Sequence, residues 1–490
     1  MASNTKISNE RREQSATMAA RRRWWTLLAL SLGSLMVALD ATVVVIALPQ
    51  IATDLHFSKT SLVWIVNAYL IAFASFLLLC GRLGDLLGNR RLFLFGITLF
   101  TLASLVCGLA KQQGLLIGAR AVQGLGGAFV SAIAFSLVLN LFTEARERAK
   151  ALGIFGFASI AGGTVALLLG GALTSLLGWN WIFFINVPLG AVVWILGLTL
   201  LHRDPARAHA GRLDIAGAAT LITSLMIAMH AILNGSGSSS SSVYTSVLLA
   251  VAVVLLIVFL NIESRVRVPL IPLVFLRERN LATATVMYVL LTAVFLSLDC
   301  VGTLYLQLIL RYSPLQVGLS FLPINQILAV FALGLGYRLV NRFGIKPLIA
   351  IGLMITAGGL ALFAVAPTSG KFLVHVLPGM LMVGVGVGLA STPLLLAATN
   401  DVDPKYSGLV SGILGTATNF GSAFGLAILV SLGAARTSEL LASGEVEVLA
   451  LNSGYHLVFM LCSLIMVAAA SVGVMFLRTQ EVSRLSGSLS

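Results

Sequence analysis

The chain of 490 residues is 58% hydrophobic and only 10% charged, with a mean hydropathy of +1.00. A soluble domain carries about 25% charged residues, and no soluble core of this length buries so large an apolar fraction, which leaves an integral membrane protein. The formal net charge of +13 does not indicate a nucleic-acid interface, because the basic residues sit in short segments between apolar runs and not on one face.

A polar tail, expected to be disordered, leads to Arg21, Arg22 and Arg23. The apolar run from Trp24 to Ala47 that follows is longer than the apolar region of a secretory signal and reads as a first span that stays in place. A spanning helix needs about 20 mostly apolar residues. Fourteen such runs follow one another, at 24–47, 60–80, 91–110, 115–139, 149–177, 180–201, 213–233, 243–262, 281–308, 315–338, 347–366, 372–397, 406–432 and 455–477. With the N-terminus in the cytoplasm, most basic residues fall inside, among them Arg82, Arg90, Arg91, Arg146, Arg148, Lys150, Arg338, Arg342 and Lys346. Lys59, Lys111, Arg311, Lys371 and Arg436 fall outside. The bias follows the positive-inside rule, and an even number of spans puts both termini in the cytoplasm. The segment NGSGSSSSS from Asn234 reads as a flexible outer turn, and Ala434 to Gly454 as an outer loop.

The chain repeats itself at an offset of about 256 residues. GRLGDLLGNRR from Gly81 to Arg91, in the loop after the second span, corresponds to YRLVNRFGIK from Tyr337 to Lys346, with Gly88 over Gly344 and Asp85 over Asn341. The small-residue stripe Gly156, Ser159, Gly163 and Ala166 of span 5 falls on Gly412, Gly415, Asn419 and Ser422 of span 13. These stripes, with Gly170 and Gly171, suit close helix packing or a hinge. Two six-helix halves follow, 24–202 and 281–478, with two helices inserted at 203–280 and short tails at 1–23 and 479–490. Parallel halves with a substrate site at their interface are a transporter architecture.

Three charges lie inside apolar spans: Asp40, Arg120 and Asp299. Each costs at least about 2.5–3.5 kcal/mol at mid-membrane, so each faces a cavity or a partner. The repeat carries Asp40 to within a turn of Asp299. A carboxylate in a low-dielectric site readily holds a proton, and a cationic substrate in the same cavity would expel it. The plainer alternative is that the acids cap backbone groups or pair with Arg120. Asn67, Tyr69, Gln123, Tyr305, Gln307, Asn325 and Asn419 are candidates to line the same cavity, or to make interhelical hydrogen bonds. GVGVG from Gly384 lies within an apolar span with no strand before it and is not a phosphate loop. No Walker A, zinc-protease or nucleophile-elbow pattern is present. The four cysteines, Cys80, Cys107, Cys300 and Cys462, have no ligand spacing. Neither an enzyme, a metal site nor a cofactor is expected, and an ion gradient or the substrate's own gradient must supply the driving force.

These motifs resemble the major facilitator superfamily, specifically its fourteen-helix drug:proton antiporter branch, over nearly the whole chain. The resemblance rests on the Gly81–Arg91 segment, LDATVVVIALP from Leu39, WIVNAY from Trp64, RAVQGLGG from Arg120 and WNWIFFINVP from Trp179. It implies an all-α membrane protein of two six-helix halves plus two inserted helices. It also implies a monomer in a bacterial inner membrane that exports small amphiphilic, often cationic compounds in exchange for protons. Gly81, Arg82, Asp85, Gly88, Arg90 and Arg91 would form a cytoplasmic latch, and Arg120 would take part in proton transfer. The departures are Val45 in place of a frequent Asn, Asn180 in place of Arg, and ALLLGG from Ala166, which lacks the Gly-Pro usual before the Gly pair. A dedicated carrier of one metabolite on the same fold, and a membrane sensor or scaffold that transports nothing, are the competing readings.

Overall fold

The computed structural model describes residues 2–142, 144–201, 214–234, 239–266, 278–399 and 407–477. Every regular element in them is helical, as lipid requires of a chain that must satisfy its own backbone. The first half comprises α1 (Ala2–Asp54), α2 (Lys59–Leu62), α3 (Trp64–Leu87), α4 (Asn89–Gly108), α5 (Gln113–Leu141), α6 (Ala145–Leu176), α7 (Trp181–Phe184) and α8 (Asn186–Leu200). The inserted pair is α9 (Ile215–Asn234) and α10 (Ser239–Arg265). The second half comprises α11 (Arg279–Leu304), α12 (Pro314–Val330), α13 (Gly336–Phe343), α14 (Ile345–Phe363), α15 (Leu377–Thr399), α16 (Ser407–Ala442) and α17 (Glu447–Phe476). Among the described residues 10 helices are long and apolar enough to cross a membrane, and Trp64–Leu77, Ala216–Ile232 and Pro314–Val330 are shorter apolar stretches.

The internal repeat is visible in the backbone. Each half's first helix ends in a left-handed residue, His56 (φ 56°) and Arg311 (φ 61°). Two residues on, a serine caps the next helix in a reciprocal box, Ser58 with Ser61 and Ser313 with Gln316. Gly88 (φ 100°) and Gly344 (φ 81°) then make the single-residue breaks before α4 and α14, a conformation that a side chain opposes.

Each half has its own apolar core, around Phe93, Phe100 and Phe183 in the first and Phe321, Phe363 and Phe459 in the second. The cores exchange a few residues. Ile46 of α1 packs in the second, while Cys300 of α11 and Ala423, Leu426 and Ala427 of α16 pack in the first. In the inserted pair, α9 packs on α3 and α16, whereas α10 packs on α9, and only 11% of its apolar window is buried.

Four expectations need correction. The polar tail is not irregular: α1 begins at Ala2, and no Gly or Pro interrupts residues 2–32. The Gly81–Leu87 segment is no loop but the last turns of α3, and the chain breaks only at Gly88. Residues 434–454 are a helical hairpin, in which α16 runs to Ala442 and α17 starts at Glu447. A Cβ on Gly433 would lie 3.1 Å from the Gly454 carbonyl oxygen, so the missing side chains let the two helices continue in contact. The tenth run is not one straight helix. α12 contains Pro323 and passes through a π-helical turn, Phe331–Leu335, with Gly334 at φ 129° before α13.

Candidate functional site

Arg120 and Gln123 stand three residues apart on one face of α5, which brings both side chains to the same place. Arg120 Nη1 donates to Asp40 Oδ2 of α1 at 2.6 Å and to Gln123 Oε1 at 2.7 Å. Arg120 Nε donates to the Ile65 carbonyl at 3.0 Å. The other carboxylate oxygen, Asp40 Oδ1, accepts from Gln123 Nε2 and from Asn186 Nδ2 of α8, each at 2.7 Å. Ser104 of α4 accepts from both amides, at 3.2 Å from Asn186. The Arg120 guanidinium lies 4.3 Å from the Tyr69 ring centroid, a cation–π contact. Asp40, Arg120, Gln123, Asn186 and Ser104 are all 0% exposed. Arg120 Nη2 and Asn186 Oδ1 have no hydrogen-bond partner. Five helices of the first half thus enclose a neutral, charge-assisted network.

Asp299 is placed differently. It lies on α11 beside the stripe Leu296, Cys300 and Leu304, which packs against the first core. It is partly exposed, and among the described residues its carboxylate makes no ion pair or hydrogen bond. Asp40 and Arg120 are therefore brought together, and Asp299 is kept apart from them.

The remaining candidates divide the same way. Tyr69 and Gln123 are buried against the ion pair, and Asn67 is buried elsewhere on α3. Tyr305 is buried too and donates to the Pro367 carbonyl at 3.0 Å. Gln307, Asn325 and Asn419 are partly exposed. Asn325 and Asn419 donate to carbonyls one turn back in their own helices, whereas Gln307 crosses between the halves to the Ile46 carbonyl of α1 at 3.0 Å. Asn186 and Ser104 were not singled out in the sequence. Asn186 stands within the WNWIFFINVP segment, but Ser104 gives no signal in an apolar run.

Of the latch motif, Arg90 donates to the Leu198 carbonyl at 2.8 Å, a contact within the first half, and Arg91 is exposed. A Cβ on Gly81 would meet only the Ala132 Cβ, at 4.0 Å, and Gly88 makes the turn. The Arg82 and Asp85 side chains lie outside the described residues. Along α6, Gly156 has nothing within 4 Å of a built Cβ, and Gly163 has only Thr42 Oγ1 at 3.8 Å. Gly170 faces Val43 at 2.6 Å. Gly171 faces the second half, where a Cβ would lie 2.7 Å from the Pro314 carbonyl oxygen and 2.8 Å from the Leu315 Cα.

Comparison with known proteins agrees with this architecture. Residues 30–426 match the Major Facilitator Superfamily. The chain is 37% identical over 423 residues to the puromycin resistance protein pur8 of Streptomyces alboniger, covering 86% of this chain and 84% of that one. It is 34% identical over 421 residues to the drug efflux pump JefA of Mycobacterium tuberculosis, covering 85% and 82%. A solved D-xylose–proton symporter superposes with a TM-score of 0.65 at 16% identity over 93% of this chain and 98% of that one, a likeness of fold alone.

Proposed function

The chain belongs to the major facilitator superfamily, and from that premise we propose that it is a proton-coupled secondary transporter. It exports small amphiphilic, often cationic compounds by alternating access across a bacterial inner membrane. Fourteen crossings are then made by α1, α3, α4, α5, α6, α7 with α8, α9, α10, α11, α12 with α13, α14, α15, α16 and α17, with both termini in the cytoplasm. The basic residues at the Arg90 and Lys346 ends support that orientation. The names of the two relatives, a resistance protein and an efflux pump, support export of foreign compounds.

The observation that carries the coupling is the Asp299 carboxylate, which has no ion pair or hydrogen bond among the described residues and is partly exposed at the seam between the halves. Facing outward it takes a proton. Facing inward it gives the proton up when an amphiphilic cation arrives, since the cation favours the carboxylate anion. Apolar surroundings bind the rest of the substrate without demanding one shape. Reversal of the tilt between halves then exchanges one for the other.

The test is uptake of ethidium and of puromycin into proteoliposomes with an acidic lumen. Wild type is expected to accumulate the compound against its gradient. Asp299→Asn is expected to pass it only down its gradient. Wild-type flux that ignores the pH gradient would remove proton exchange and leave a facilitator. Flux of a polar metabolite alone would favour the dedicated carrier.

A further inference from the structure

Three charges stand in the apolar spans, and they do not contribute equally to exchange. Asp40 and Arg120 cancel each other inside the first half, and among the described residues Asp299 is left uncompensated. We infer that the exchanging site carries a single negative charge, so that one proton enters per compound exported and a monovalent organic cation leaves with no net movement of charge. The inference rests on the reading of the chain as a proton-coupled exporter, and it adds the count and the preferred substrate charge.

The first step is that Asp40 is not free to exchange. Its Oδ2 is held by Arg120 and its Oδ1 by Gln123 and Asn186, all in fully buried positions. A substrate cation would have to displace a guanidinium that is also bonded to the Ile65 carbonyl and stacked on Tyr69. Protonation of Asp40 would leave Arg120 as an uncompensated buried cation, the costly way to break such a pair. The network therefore keeps its proton count through the cycle.

The second step is that, among the described residues, the helices packed on α11 set no other acid beside Asp299. α11 packs on α1, α15, α16 and α17. α15 has no ionisable residue, and α16 has only Arg436 and Glu439, which pair with each other at 2.8 Å near the helix end. α17 offers Glu447 at its first turn, Tyr455, His456 and Cys462. His456 is committed to the Ala366 carbonyl at 2.7 Å. From residue 24 on, α1 contributes Asp40, already paired, and Asp54 at its end, which accepts from Trp179 Nε1 at 2.8 Å. On α11 itself and the π-helical turn that follows stand Arg279 at its start, Tyr288, Cys300 and Tyr305.

The balance is then closed. A proton binds one Asp299 oxygen from outside. The O–H bond breaks on the inside as the cation takes its place, and the proton enters the cytoplasm. One positive charge moves each way. A gradient of one pH unit sustains up to about a tenfold gradient of a monovalent cation. A membrane potential adds nothing for that cation, whereas each uncompensated charge would shift the gradient about 50-fold per 100 mV.

The experiment uses the full chain in proteoliposomes with ethidium, a pH difference of one unit, and a potential set by potassium and valinomycin, with protein-free vesicles as the baseline. The expected result is accumulation approaching tenfold, the same at 0 and 100 mV. A 50-fold dependence on potential, or accumulation approaching 100-fold, would mean a second proton and overturn the inference while leaving the exporter reading standing. In detergent at weak buffering, wild type should release one proton per ethidium bound and Asp299→Asn none. Release that persists in Asp299→Asn would place the exchange on Asp40. Absence of any pH-driven flux would instead overturn the exporter reading itself, and the inference with it.

Discussion

Arg120 cannot lose Asp40 cheaply. Removing one member of a buried ion pair strands the other, at a cost of about 3–5 kcal/mol. Arg120→Gln is accordingly expected to lower the midpoint of thermal unfolding in detergent sharply. The double variant Asp40→Asn with Arg120→Gln, which leaves two neutral amides, is expected to regain most of the loss. A cycle in which the double variant is as unstable as the sum of the singles would show that the pair does not couple. The three intramembrane charges were legible in the sequence because a charge in an apolar run is expensive and must be accounted for. That an acid could pair with Arg120 was legible as an alternative, but which acid was not, because spacing along separate helices does not say which faces meet. Tyr69 and Gln123 read equally well as cavity residues, and only the fold turns them onto Arg120. Ser104 and Asn186 are neutral, and a neutral polar residue in a span announces no more than some hydrogen bond.

At the scale of the element, two glycines of one helix make opposite predictions. On α5, a Cβ on Gly126 would lie 2.6 Å from the Phe100 backbone nitrogen, so α4 and α5 must part to admit it. Gly126→Ala should therefore destabilise by about 1–3 kcal/mol. Gly118 has nothing within 4 Å, and Gly118→Ala should stabilise by up to about 1 kcal/mol through helix propensity alone. Thermal unfolding of the two variants side by side checks both, and equal effects would mean that the contact does not govern. The helices themselves were largely legible, since apolar runs of spanning length leave few alternatives. Where they start and stop was less so. The Gly81–Leu87 motif read as a loop because it is charged, yet a charged sequence without Pro continues a helix readily, and Gly88 alone stops it. The bend at Phe331–Leu335 has no signal beyond Pro323 and a glycine.

For the whole molecule, the repeat detected between Gly88 and Gly344 reappears as matched caps, turns and cores, so the two halves are each coherent bodies. At the end carrying Lys111 and Lys371 the halves are joined by α6 lying on α12, with their closest backbone approach at Gly171, and by the Gln307 bond to Ile46. That bond is worth about 1 kcal/mol, or about a fivefold change in population. Gln307→Leu should shift the halves apart at this end. Spin labels replacing the exposed Lys111 and Lys371 would then report a larger share of long distances, and an unchanged distribution would deny the bond any part in closure. The inserted pair touches both bodies through α9, which lies on α3 of the first half and α16 of the second. α10 meets the protein chiefly through α9 and turns Val247, Val253, Val254 and Ile257 outward. Hydrocarbon chains, not side chains, are its principal neighbours. A cell that shortens or stiffens its acyl chains therefore alters the surroundings of α10 before it disturbs either core, which makes this hairpin the point where the mechanics of the bilayer reach the pump.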